Sequence, residues 1–403
     1  MSRLRENDSK NVVPIDRGRR RADLGRMSEF AETARRLQRE RDAAGEQIAR
    51  LLHDTPREEW PRLAERQELH TSGVLDRLST EVAALLESDP LAALAAADLG
   101  TAIAEMLPDD AYPPVLLAQM RAQTWKDRAQ ALSYVGRHEE AIESVDRAEQ
   151  FLAGFGSLAH DRAIVRLVKA ISLQDLQRFD ESLALLTWCR AVFLDHGDTK
   201  RQLQCGMAEG VLLFRREQFD SARDVFVSLL DPARAAADIE LLAALHGNIG
   251  HCSVQVGEMT VARLHFTEAR RRLEELGDVT NALRVDLGFG RVLLARGETT
   301  SGLSTLQRVR ARFLDHGMVE EADLCGLDIV AALVDGNRLA EARSLAGEIA
   351  DHYGQRSNPR AAEALRYLEE RIEAHDAAAV VRHVHSYLEA LRLDPSREFV
   401  ACA

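Results

Sequence analysis

The stretch GHCSVQVGEMTVA, running from Gly250 to Ala262, sets two small residues twelve positions apart around a turn marked by Gly257. The same arrangement recurs along the chain as Ala129 and Ala141, Ala170 and Ser182, Gly210 and Ala222, Gly290 and Gly302, and Val330 and Ala342. Successive second sites are 41, 40, 40, 40 and 40 residues apart, so six copies hold one period. Three residues after each first site stands a leucine (Leu132, Leu173, Leu213, Leu293, Leu333), with Ser253 as the interruption. Four residues after each second site come Val145, Leu186, Phe226, Phe266, Leu306 and Ala346. Antiparallel helices approach closely only where side chains are small, while large apolar neighbours one turn away fill the adjoining groove. Each copy therefore reads as a helical hairpin. A glycine inside a helix costs about 1 kcal/mol relative to alanine, and close packing at Gly210, Gly250 and Gly290 offsets that cost.

Longer echoes keep the same period. Phe193 to Gly197 (FLDHG) returns as Phe313 to Gly317, three periods later. Gly156, Gly197, Gly277 and Gly317 fall where the second helix of a unit ends, a place that favours a left-handed residue; Ala237 replaces glycine in the unit containing Asp231 and Pro232. Paired small sites around a glycine-containing turn resemble the tetratricopeptide repeat, whose usual period is about 34 residues. The longer period here also invites comparison with HEAT and armadillo repeats, but the paired small sites favour the tetratricopeptide reading. The resemblance covers about residues 115 to 355. It implies an all-α, right-handed α-solenoid of tetratricopeptide-like hairpins.

Composition agrees with helices. Hydrophobic residues make up 46% of the chain but aromatic residues only 5%, and 29% are charged, a balance suited to amphipathic helices packed through alanine and leucine rather than to strands. A net charge of -13 argues against a surface that wraps nucleic acid along its whole length. The five cysteines (Cys189, Cys205, Cys252, Cys325, Cys402) form no CxxC pair, which excludes a zinc site or a disulfide framework and points to a reducing, cytoplasmic compartment. The first residues are charged and no apolar run approaches the roughly 20 residues a membrane span needs, so neither a signal peptide nor membrane association is expected.

The flanks divide the rest. Residues 1–27 carry Arg17, Arg19, Arg20, Arg21 and Arg26 without hydrophobic periodicity and read as a disordered basic arm, the one place from which this chain could reach nucleic acid. Residues 28–114 read as an N-terminal helical region: a charged amphipathic helix from Ser28, a helix opened by Thr55 and Pro56, and an alanine-rich helix from Asp89 and Pro90. The repeat array occupies 115–355, about six repeats, and capping helices occupy 356–403, with Val381, Val384, Leu388 and Leu391 on the last apolar stripe.

Chemistry is sparse. Gly288-Phe289-Gly290 and Gly154-Phe155-Gly156 lack both a preceding strand and a third glycine, so they are packing sites rather than phosphate loops. His383 and His385 are two apart and diverge by about 200° on a helix. His246 and His251 are five apart, off the four-residue spacing that grips zinc. Cys252, beside His251, reads as core. No cofactor and no metal are expected, and nothing marks an enzyme.

The repeats instead point to binding. In such a stack the first helix of each hairpin lines the inner face. Counting from the small sites, the partner-facing positions are Gln123, Lys126, Gln130, Gln204, Arg215, Asn248, His251, Arg284 and Arg291, with Ile171, Phe214 and Leu327 as apolar companions. His246-Gly247-Asn248-Ile249-Gly250 resembles the first-helix segment of peptide-binding tetratricopeptide domains, which implies that Asn248 grips a ligand backbone. The arrangement also resembles repeat regions of bacterial regulatory proteins, although no helix-turn-helix is evident in residues 28–80. The expected function is a non-enzymatic adaptor or regulator in bacterial signalling or transcription that binds a protein or peptide; alternatives are a sensor of a small peptide and a nucleic-acid-associated regulator acting through the arm. The repeats carry no signal for oligomeric state.

Overall fold

The structure, a computed structural model, describes residues 17–86, 88–355, 359–374, 376–393 and 397–401. Every regular element among them is helical. The chain forms two compact units, Met1–Arg178 and Phe179–Ala403.

The first unit holds α1 (Arg17–Asp54), the single turn α2 (Trp60–Leu63), α3 (Ser72–Leu85), α4 (Pro90–Met106), α5 (Pro114–Tyr134), α6 (His138–Leu152) and α7 (Ala159–Asp175). Helix α1 starts at Arg17 rather than at Ser28, so the later part of the stretch read as a disordered arm is helical; residues 1–16 lie outside the described residues. Extending a helix that is already packed needs no new nucleus, and the Arg, Ala, Leu and Met residues of this stretch extend it readily. The segment opened by Thr55 and Pro56 is a 3-10 turn, Arg57–Glu59, followed by α2, and neither has a side-chain cap. Trp60 instead donates its indole N–H to the Thr55 carbonyl, at 3.0 Å. Helices α3 and α4 pack on each other, and both pack on α5, so they repeat the hairpin arrangement one unit before the sequence period becomes visible.

The carboxylate of Glu40 ties helix α1 to α3 and to Tyr112. Glu40 Oε2 accepts from the Ser72 backbone N–H (3.1 Å), the Ser72 hydroxyl (2.5 Å) and the Tyr112 hydroxyl (2.6 Å). Its other oxygen accepts from Arg36 Nε at 2.7 Å, and the Arg36 guanidinium lies 4.4 Å from the Tyr112 ring centroid. A carboxylate at the first turn of α3 meets the unpaired N–H groups and positive end of that helix. Burial acts to raise the Glu40 pKa, yet these donors together hold it below the ordinary carboxylate value.

The second unit contains α8 (Phe179–Asp195), α9 (Thr199–Arg215), α10 (Phe219–Ala235), α11 (Ile239–Gln255), α12 (Met259–Leu276), α13 (Val279–Ala295), α14 (Thr299–Asp315), α15 (Val319–Asp335), α16 (Leu339–Gln355), α17 (Pro359–Arg371) and α18 (Ala377–Leu393). Most are 17 residues long, which accounts for the extended period. The turns entering α9, α11 and α13 share one device. A left-handed residue, Gly197, Ala237 or Gly277, is followed by Asp198, Asp238 or Asp278, whose carboxylate caps the new helix. Ala237 adopts φ 53° despite its Cβ, so the fold imposes the turn even where the sequence lacks glycine.

The small sites do what their spacing requires. A Cβ placed on Gly210 would lie 2.3 Å from the Phe226 ring, one on Gly250 2.7 Å from Phe266, and one on Gly290 2.5 Å from Leu306. Each glycine therefore seats the large residue of its own second helix. Pair sizes compensate along the array, from Ala129 with Val145, through glycine with phenylalanine or leucine, to Val330 with Ala346. All of these residues are buried.

Candidate inner-face binding site

The first helices of the second-unit hairpins, α9, α11, α13 and α15, carry equivalent side chains at fixed distances from their small sites. Six residues before the small site, Gln204, Ala244 and Arg284 are exposed, whereas Leu324 is only 7% exposed. The difference has a cause in α18. That helix packs on α17 and on α15 and, among the described residues, has no comparable packing on α9, α11 or α13. Leu327, expected to be displayed, is 0% exposed for this reason. Ile171 is 46% exposed on α7 in the first unit, and Phe214 is half-buried, edge-on to Phe219.

Polar side chains on this face reach from one first helix to the next. Asn248 Nδ2 donates to Met207 Sδ at 3.2 Å, so α11 is tied to α9. Arg284 on α13 bonds Asn281 Oδ1 at 3.1 Å and reaches Glu321 on α15 at 3.4 Å. Arg291 donates through Nε to Asp328 Oδ2 at 2.8 Å, and His385 of α18 lies 3.8 Å from the other oxygen of Asp328. The side chains of Arg284 and Arg291 stay 53% and 39% exposed, so each guanidinium remains open to an added acceptor. Gln204 and Arg215 are exposed on α9. His251 keeps solvent contact while its ring packs edge-on against Phe266, 4.9 Å between centroids. The surrounding protein, and after it the charge of Arg291, hold this imidazole below its ordinary pKa, so it is neutral at pH 7.

Lys126 and Gln130 stand on α5 of the first unit. Lys126 is 14% exposed, with its ammonium 3.0 Å from Asp127, and Gln123 donates to the same carboxylate at 2.9 Å. Asp127 also accepts from Ser79 on α3 at 2.5 Å, so these positions join α3 to α5. Beside them α1, α3, α5 and α7 frame a cleft of about 320 Å³ with an apolar floor of Leu37, Leu75, Leu116 and Met120.

Sequence reasoning missed the acidic partners Glu321 and Asp328. The period could have found Asp328, which stands two residues before Val330 as Asn248 does before Gly250. Four cysteines, Cys189, Cys205, Cys252 and Cys325, are buried as thiols outside any disulfide. Burial pushes the Cys252 thiol up to about 11 and those of Cys205 and Cys325 to about 12, which leaves them unreactive. Among the described residues no group of three potential ligands could hold a metal ion, and no helix is long and apolar enough to cross a membrane.

Behind the inner face, His246 on α11 meets His265 on α12, 3.0 Å between Nδ1 atoms, one donating and one accepting. Burial, and next the neighbouring His265, lowers the His246 pKa from 6.5 to about 4. The unfolded chain therefore takes up a proton between pH 6.5 and 4 that the folded chain refuses. This contribution to stability is whole above pH 6.5 and is lost as pH falls toward and through 4, about 3 kcal/mol in all, of which about 2 kcal/mol goes between pH 7 and 4.5. His246→Gln is expected to reduce the loss of stability between pH 7 and 4.5 by roughly that amount in urea unfolding; parallel wild-type and variant curves would refute the assignment.

These features define a tetratricopeptide-like repeat protein. No protein-family model matches the chain, and no curated protein matches it. Among solved structures it is similar to a Rap protein complexed with competence and sporulation factor, at 17% identity over 94% of this chain and 99% of that one, with a TM-score of 0.54. It is also similar to the apo form of RapI, at 13% identity over 83% of this chain and 97% of that one, with a TM-score of 0.51. At these identities the likeness is one of fold.

Proposed function

We propose that this chain is a non-enzymatic regulator that binds a peptide segment, free or part of a protein partner, on the inner face of α9, α11 and α13. The observation that carries the reading is α18. The chain lays one of its own helices on α15, where Leu324 is buried, while the equivalent Gln204, Ala244 and Arg284 on the three preceding first helices are exposed. A surface that accepts a segment of its own chain at one repeat offers the same kind of surface at the next. Gln204, Asn248, Arg284 and Arg291 supply amide and guanidinium donors there, suited to backbone carbonyls and carboxylates. The fold it shares with a Rap protein solved with competence and sporulation factor supports the same reading. Because Arg284 and Arg291 are already engaged by Glu321 and Asp328, an incoming carboxylate competes with α15 for them.

The test is affinity capture from the native cell lysate after nuclease treatment, with wild type beside the variant Asn248→Ala, Arg284→Ala, Arg291→Ala. A specific partner is expected to be retained by wild type and to bind the folded variant at least about tenfold more weakly, since charge-assisted hydrogen bonds contribute roughly 1.5 to 3 kcal/mol each. Equal retention by both proteins would remove the inner face from consideration.

A further inference from the structure

The described residues 397–401 have no regular secondary structure, yet they are seated in a notch of defined chemistry between α17 and α18. Phe399 stands among three rings: Tyr367 of α17 at 5.5 Å between centroids, and His383 and Tyr387 of α18 at 5.6 and 5.0 Å. His383 and Tyr387 are four residues apart, so they share one face of α18. Each also binds backbone. The Tyr387 hydroxyl donates to the Arg397 carbonyl at 3.0 Å, and His383 Nε2 bonds the Val400 carbonyl at 2.7 Å. Val400 itself is 73% exposed.

The contacts divide as they do where proteins read short peptides. Main-chain carbonyls supply sequence-independent anchors, and one pocket selects one side chain. Two carbonyls three residues apart are held by an imidazole and a phenol, and the only side chain of the segment that these ring contacts engage is aromatic. Nothing here requires that the bound segment be covalently part of the chain. His385, which shares α18 with the notch, reaches instead to Asp328 on α15, so the notch is separate from the inner-face site.

We propose that the notch of Tyr367, His383 and Tyr387 is a second peptide-binding site. It takes an irregular segment that presents a phenylalanine or similar ring, and residues 397–401 occupy it as a competitor in cis. A partner segment must displace that occupant, so the attached tail sets the affinity the partner needs.

The probe is a fluorescein-labelled synthetic peptide of residues 396–403, with Cys402 replaced by serine to prevent oxidation, followed by fluorescence anisotropy. The receptors are the full-length wild type and full-length Phe399→Ala, in which the attached tail no longer fills the pocket. The variant is expected to bind the peptide at least tenfold more tightly than wild type. A peptide carrying Phe399→Ala is expected to bind the variant at least tenfold more weakly than the phenylalanine peptide. Adding Tyr387→Phe to the receptor, which keeps the ring and removes the hydroxyl, is expected to weaken binding several-fold. Equal affinity of the two receptors, or of the two peptides, would overturn the proposal. The inner-face variant is expected to bind this peptide as wild type does, so failure here leaves the inner-face reading standing and the converse also holds.

Discussion

Gly73→Ala is expected to detach α1 from the remainder of its unit, with a loss of about 3 kcal/mol or more in local stability. A Cβ at this position would fall 2.1 Å from the Glu40 carbonyl oxygen, 2.2 Å from its carbon and 2.6 Å from the Arg41 nitrogen. All three are backbone atoms of α1. A side chain in the way can change rotamer, but a helix backbone can only move as a body. Shifting α1 by the ångström or more that a methyl group needs would pull Glu40 away from Ser72 and Tyr112, so steric and polar losses add. Gly45→Ala in the same helix is the control, because nothing lies within 4 Å of its added Cβ; it is expected to be neutral or to gain up to about 1 kcal/mol from helix propensity. Limited proteolysis and amide exchange across residues 31–54 report the docking of α1 directly. Protection unchanged in Gly73→Ala would show that the helices part more easily than their close crossing implies.

Gly210→Ala is the second large effect, about 2 kcal/mol destabilising even though alanine is the better helix former. The added methyl would meet three atoms of the Phe226 ring at 2.3, 2.6 and 2.8 Å, and Phe226 is 1% exposed, with no free space to swing into. Phe226→Val alone leaves a cavity and should cost about 2 kcal/mol. The double variant recreates the Ala129 and Val145 pairing that the first repeat already uses, and is expected to be at least 1 kcal/mol more stable than the sum of the two single effects predicts. Urea unfolding of the four proteins measures that coupling. Additive effects would mean that the two positions do not share one packing volume.

Both predictions concern contacts of very different legibility. The Gly210 contact could be read in advance, because the small site and the large residue sixteen positions later recur with the period and their sizes compensate. Gly73 could not. It crosses α1 at a point set by the fold of that unit, and α3 with α4 repeats the hairpin arrangement without its spaced small residues. The inner-face residues lie between these cases. Their helices followed from counting, but the engagement of Arg284 and Arg291 with Glu321 and Asp328 did not.

The sequence by itself determined the hairpins, their period, their tight contacts and the helix that carries each candidate binding residue. These depend on neighbours within one repeat, where helix geometry converts spacing directly into contact. The left-handed turn at Ala237 shows the period overriding an unfavourable residue. The tertiary structure decided which faces remain open. Asp328 and His385 are far apart in the chain, and no periodicity connects them; the apolar stripe of α18 announces that this helix must be covered without saying by what. Its return onto α15 buries Leu327, brings His385 to the carboxylate that holds Arg291, and presents His383 and Tyr387 to the tail. Burial of an apolar stripe is non-directional, so its partner is settled only when all the helices compete for the same surface.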